Sequence, residues 1–206
     1  MTKNLLTLSL GIALSTFTIS SLASSQTQNV EAKITVKNTF KLEVKQSFDF
    51  GTVRAVSKAA SKAALSIPAN PNLQLTTTAA GGSDPAIMDI LDSTSAQPAQ
   101  LSIAEATKYT PLTIELPDVG TTPAELAAQN GPSTTPVFKI TAFTLYATVG
   151  QNANQNIAIT ANQGTITTDG SGNAEFNLGA TLTTDDIDGE YIDDEYTGSV
   201  SVTVSY

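Results

Sequence analysis

The sequence predicts an all-β, antiparallel fold, a sandwich or a barrel. Two observations carry that expectation. From Val30 to Phe50 the even positions read Val30, Ala32, Ile34, Val36, Asn38, Phe40, Leu42, Val44, Gln46, Phe48 and Phe50, with mostly polar residues between. That is the period-2 alternation of a strand with one buried face. The rest of the chain is a series of short alternating runs separated by Gly, Pro and Asn turn signals, with no βαβ pattern and no internal repeat.

Residues 1–23 read as a segment outside the fold. Lys3 gives a positive start, Leu5 to Ile19 is a mostly apolar stretch too short and Ser/Thr-rich to span a membrane, and Ser21-Leu22-Ala23 offers a cleavage site. This predicts a secretory signal peptide and an exported chain, and no later run is apolar enough to cross a bilayer. About 180 residues then remain, enough for one domain with a substantial core. The formal net charge of −9 argues against nucleic acid or an anionic membrane surface as a partner. With no Cys and no His, the chain can build neither a disulfide nor Ser-His-Asp, Cys-His or zinc chemistry. No enzyme activity and no cofactor are expected.

Strands rarely exceed about ten residues, so the Val30–Phe50 alternation is read as two in tandem, Val30–Lys37 and Thr39–Phe50. Arg54–Ala64 reads as a loop or a short helical turn. Leu65–Pro68 and Leu73–Thr78 are short strands around an Asn70-Pro71 turn, and Ile87–Leu91 is short and apolar. Gln100–Ala104 and Leu112–Pro117 read as a strand pair joined across 105–111. Pro123–Gln129 combines helix formers with an early Pro and a following Gly131, which predicts one short helix. Strands follow at Val137–Val149, Asn156–Thr160, Gly164–Thr168 and Ala174–Thr183, with a turn at Asp169–Gly172. The last predicted strand runs from Tyr196 to Tyr206 with Val200, Val202 and Val204 on one face. It is expected to keep a free apolar edge, which aggregates unless something pairs with it.

Several of these stretches together resemble a known family: the alternating strand ending Phe48-Asp-Phe50-Gly-Thr52, the Leu112–Pro117 strand, the run from Gly164 through Gly172 to Ala180, and the terminal Tyr196–Tyr206. They resemble a family of Cys-free secreted bacterial domains of unassigned function, which is itself similar to the pilins of archaic chaperone–usher fimbriae. The resemblance implies an immunoglobulin-like (pilin-like) β-sandwich of about seven strands, residues 39–206, that lacks its last strand. It implies an N-terminal donor-strand extension, residues 24–38, presenting Val30, Ala32, Ile34 and Val36. The acceptor groove would be lined by Phe40, Leu42, Val44, Val200, Val202 and Val204, from Thr39–Phe50 and Thr197–Tyr206 lying inside the core sheets. The implied partners are a periplasmic chaperone, an outer-membrane usher and further copies of the chain at the cell surface. The competing expectation is a monomeric, self-complemented secreted sandwich that acts as an adhesin or ligand-binding module.

Other candidate sites are weaker. The segment Thr184–Glu195 holds Asp185, Asp186, Asp188, Glu190, Asp193, Asp194 and Glu195. Against a calcium loop, Asp186, Asp188 and Glu195 take ligand positions, but Thr184 is a poor first ligand and strands flank it. The like charges instead predict a mobile solvated loop and no metal. Glu105, Glu115 and Asp118 lack the setting of a glycosidase carboxylate pair. Tyr146, Tyr191, Tyr196 and Tyr206 read as packing residues at the margin of the core.

Overall fold

The computed structural model describes residues 27–28, 31–35 and 39–206. The chain divides into two units, Met1–Val36 and Lys37–Tyr206. In the first, the predicted signal peptide, Val30 and Val36 lie outside the described residues. Residues 31–35 form no strand, and Ile34 is 87% exposed.

The second unit is all-β, with no helix among the described residues and every strand pairing antiparallel. Its strands are β1 Lys41–Gln46, β2 Thr52–Ser57, β3 Ala64–Ile67, β4 Thr76–Thr78, β5 Ile87–Asp92, β6 Ala99–Ala104, β7 Pro111–Glu115, β8 Ala124–Ala128, β9 Phe138–Val149, β10 Gln155–Ile157, β11 Gln163–Thr167, β12 Ala174–Thr183, β13 Gly189–Glu190, β14 Tyr196–Thr197 and β15 Thr203–Ser205. A large sheet runs β1-β6-β12-β9-β8-β14, with β10 beside β9, and β3 then β4 beside β12. Two small sheets run β11-β7-β15 and β13-β2-β5.

The two longest strands explain the layering. In β12, Phe176, Leu178, Ala180 and Leu182 alternate and are all buried. Phe176 and Leu178 join β6, β7, β9, β10 and β11 side chains in a first core around Leu101, Ile103, Leu112, Ile114, Leu145 and Ile166. Ala180 and Leu182 join a second core with Leu65, Met88, Phe138 and Ile140. The large sheet thus serves both cores, and each small sheet contributes to one of them, an arrangement consistent with a β-sandwich. The opposite face of β12 is also covered. Asn177 Nδ2 donates to the Ala69 carbonyl at 3.1 Å, and Ala69 N donates to Thr144 Oγ1 at 3.1 Å. A Cβ at Gly179 would collide with the Ile67 and Ala69 backbone and with Thr144 Oγ1.

Several sequence expectations are corrected. Pro123–Gln129 is not a helix. Ala124–Ala128 forms β8 and pairs with β9 through Ala124↔Ile140, Glu125↔Lys139 and Leu126↔Phe138. Helix propensity is a weak prior, and an adjoining strand edge overrides it. Residues 54–57 of the Arg54–Ala64 stretch belong to β2, Thr52–Ser57, rather than to a loop or helical turn, because Val53 and Ala55 pack against the second core. Strands β6 and β7 do not pair with each other. The first pairs with β1 and β12, the second with β11 and β15, so they belong to different sheets around the first core. There are also more and shorter strands than seven. The terminal run is broken into β14, which pairs with β8, and β15, which pairs with β7. Gly198 is where the chain leaves the large sheet, and a Cβ there would strike the Glu125 carbonyl.

Candidate functional site

The two predicted groove strands lie at sheet margins rather than within them. β1 is the end strand of the large sheet, and β15 is the end strand of a small one. Both margins border the first core. Phe40, Leu42, Val202 and Val204 are partly buried against it. The two margins meet at one corner, where the Phe40 and Tyr206 rings contact edge to face at 5.5 Å and 70°.

Away from that corner the margins open. Val44 is in phase with Phe40 and Leu42 and pairs with the buried Leu101, yet it is 64% exposed. Just beyond it the β1–β6 register shifts between Val44 and Gln46, so β1 carries a bulge at Lys45. On the other margin, residues 198–202 form no strand, and among the described residues they appear in none of the backbone hydrogen bonds outside strands. β15 thus has a strand partner on its β7 side alone, and residues 198–202 continue that margin without strand pairing beside half-covered Val202 and Val204. Val200 departs from the expected set, because it packs against the second core. The break at Gly198 carries the chain from one sheet to the other, so one face of a single strand is divided between two cores.

Of the predicted donor residues, Ala32 and Ile34 are described, and both are exposed without strand structure. Val30 and Val36 fall outside the described residues.

The acidic segment is tied down rather than standing free. Lys139 Nζ lies 2.7 Å from Asp185 Oδ1 and 2.7 Å from Asp186 Oδ2, with the Lys139 and Asp185 side chains only 16% and 10% exposed. Lys62 takes the other Asp186 oxygen at 2.5 Å. Val137 N donates to Asp185 Oδ2, Ala59 N to Asp188 Oδ1, and Asn130 N to Asp194 Oδ2. Burial pushes the Asp185 carboxyl up, but Lys139 and the Val137 and Asp186 N–H groups outweigh it, so its pKa falls below the usual carboxylate value. Hydrogen bonds from Lys139 and then Lys62 lower Asp186. Tyr191, stacked on Phe138 at 4.1 Å, donates to the Val137 carbonyl and accepts from Asp185 N, and burial raises its phenol pKa. The sequence missed this because the cations that pair with the acids lie far away in the chain.

Among the described residues no cluster of acidic side chains is arranged to hold a metal ion. Glu105 pairs with Lys41 at 3.1 Å, Asp118 accepts from Thr121 at 2.8 Å, and Glu115 is exposed on β7. Tyr206 is the residue whose placement the sequence did not reveal. Its ring bridges the two margins, and its hydroxyl accepts from Thr107 N at 3.1 Å. Comparisons with protein families, with curated proteins and with solved structures find no match for this chain.

Proposed function

We propose that the protein is a structural subunit of a bacterial surface fimbria that polymerises by donor-strand exchange. The alternating extension of one copy fills the groove between β1 and the 198–206 margin of the next. The observation that carries this reading is the pair of free margins bordering one core, with Val44 exposed and residues 198–202 lacking a strand partner. Adding a strand to such an edge supplies main-chain hydrogen bonds along its length, and alternate side chains fill the gap. The contact joins unlike surfaces of successive copies, so it propagates into an open fibre instead of closing. The immunoglobulin-like topology and the donor role of residues 24–38 belong to this proposal, as do the chaperone, the usher and the surface location.

Ile34 is the natural place to test it. Burying one Ile or Val side chain contributes roughly 1.5–3 kcal/mol, whereas a carboxylate in the same place has no partner. The subunit is expressed with its chaperone and usher, and SDS-resistant, heat-dissociable multimers are scored. Ile34→Asp, or deletion of 24–37, is expected to abolish them, while Thr35→Asp on the other face leaves them. Multimers from the truncated chain would rule out the extension as donor. A truncated chain that no longer folds even with the chaperone would favour the self-complemented monomer.

A further inference from the structure

We infer that Phe40 and Tyr206 form a stop at one end of the groove, fixing how far an inserted strand advances and hence its register. The inference rests on the donor-strand reading and assigns the stop to two residues of the acceptor.

The corner is stitched from several sides. Phe40, just ahead of β1, meets Tyr206, just after β15. Tyr206 is held by Thr107 N. The β6–β7 loop that offers this N–H is itself anchored. Thr168 is fully buried and its hydroxyl donates to the Thr107 carbonyl at 2.6 Å, while Ala106 N donates to the Gly172 carbonyl at 3.1 Å and Tyr109 N to the Asp169 carbonyl at 3.2 Å. Lys41 and Glu105 add an ion pair at the same corner, one residue from Phe40 on β1 and at the start of that loop. The groove is bridged here and open toward Val44 and residues 198–202.

Register matters because strand side chains repeat every two residues, about 6.8 Å along an extended chain. A donor with apolar residues at 30, 32, 34 and 36 still presents apolar residues along the groove after a two-residue slip. Hydrophobic pattern alone therefore does not choose among these registers, and a physical end to the groove does. The occupant is the 24–38 segment of a second copy. It enters from the Val44 end and halts against the two rings.

The chain has no Cys, so introduced cysteines report register without background. Full-length chain carrying Ile34→Cys is assembled with full-length chain carrying either Val44→Cys or Leu42→Cys, and oxidised. With the corner intact, one acceptor position is expected to dominate by roughly fivefold, a preference within what one aromatic contact supports. Phe40→Leu removes the ring but keeps an apolar side chain on the core, and Tyr206→Phe removes only the tethering hydroxyl. Spreading of the crosslink over both acceptor positions in either variant supports the stop. Unchanged preference in both variants overturns it while leaving donor-strand exchange standing. Equal yields at both positions with the corner intact overturn it too. Absence of any crosslink between copies with the corner intact overturns the donor-strand reading, and the stop with it.

Discussion

Lys139 shows how one side chain organises a segment that its sequence would leave loose. Seven acidic residues lie between Asp185 and Glu195, and repulsion alone would splay them. Lys139, at the β9 position that pairs with Thr183 of β12, holds Asp185 and Asp186 together. Replacing Lys139 with Met keeps the apolar stem but leaves Asp185 without its cation. Breaking a buried pair in this way costs roughly 3 kcal/mol, read as a lowered urea midpoint at neutral pH. The pH dependence gives the sign. Asp185 and Asp186 have folded pKa values below their unfolded ones. Their contribution is therefore present above the unfolded carboxylate value of about 3.9 and is lost as pH falls through the folded values. Stability of the native chain should drop steeply below about pH 4, and the Lys139→Met difference should shrink over the same interval. A difference constant from pH 7 to pH 3 would mean that the pair does not contribute.

At the scale of elements, β12 sits at the centre because both of its faces are covered. Phe176, Leu178, Ala180 and Leu182 fill the cores on one face, and the 67–70 segment lies over the other. Gly179 is the point of closest approach. Added atoms there meet backbone, which yields less readily than a side-chain tip. Gly179→Ala should cost roughly 1–3 kcal/mol through overpacking, and Gly179→Val more. Equal thermal melting of Gly179→Ala and the parent would show that the crossing segment moves aside freely. β8 teaches a different lesson. Its Ala124-Glu-Leu-Ala-Ala128 sequence favours a helix in isolation, but the β9 edge supplies hydrogen bonds along its length and Leu126 packs against the second core. Packing of its apolar side chains and pairing to a neighbour outweigh a few tenths of a kcal/mol per residue of intrinsic preference.

The whole folded unit contains two cores joined by continuous strands. β9 supplies Phe138 and Ile140 to one core and Leu145 and Ala147 to the other, and β12 divides in the same way. Neither core can lose its strands without unravelling the sheet of the other. The 39–206 unit should therefore unfold in one cooperative transition. Leu182→Ala, in the second core, should cost about 2–5 kcal/mol. It should lower hydrogen-exchange protection equally at Ile114, in the first core, and at Leu65, in the second. A loss of protection confined to Leu65 would show two independently melting halves.

How much of this was legible beforehand differs by element. The alternation of Phe176, Leu178, Ala180 and Leu182, the long β9 run and the Asp169–Gly172 turn are local patterns, and local patterns are written in the sequence. So is the all-β, antiparallel class, because period-2 runs broken by turn residues have few other solutions. For the candidate site, the sequence marked Phe40, Leu42, Val202 and Val204 as apolar faces, and they do border one core. It could not show that β1 and β15 lie at sheet margins, that Val200 belongs to the other core, or that Tyr206 reaches Phe40. Each of those facts depends on residues far apart in the chain, as Lys41 and Ala104, Glu115 and Thr203, or Phe40 and Tyr206 are, and alternation along one strand carries no information about its neighbour. Sequence by itself determined which faces are apolar and where the chain turns. Tertiary structure decided which strands pair and which edges stay free, because backbone hydrogen bonding is the same for every residue and only packing selects the partner.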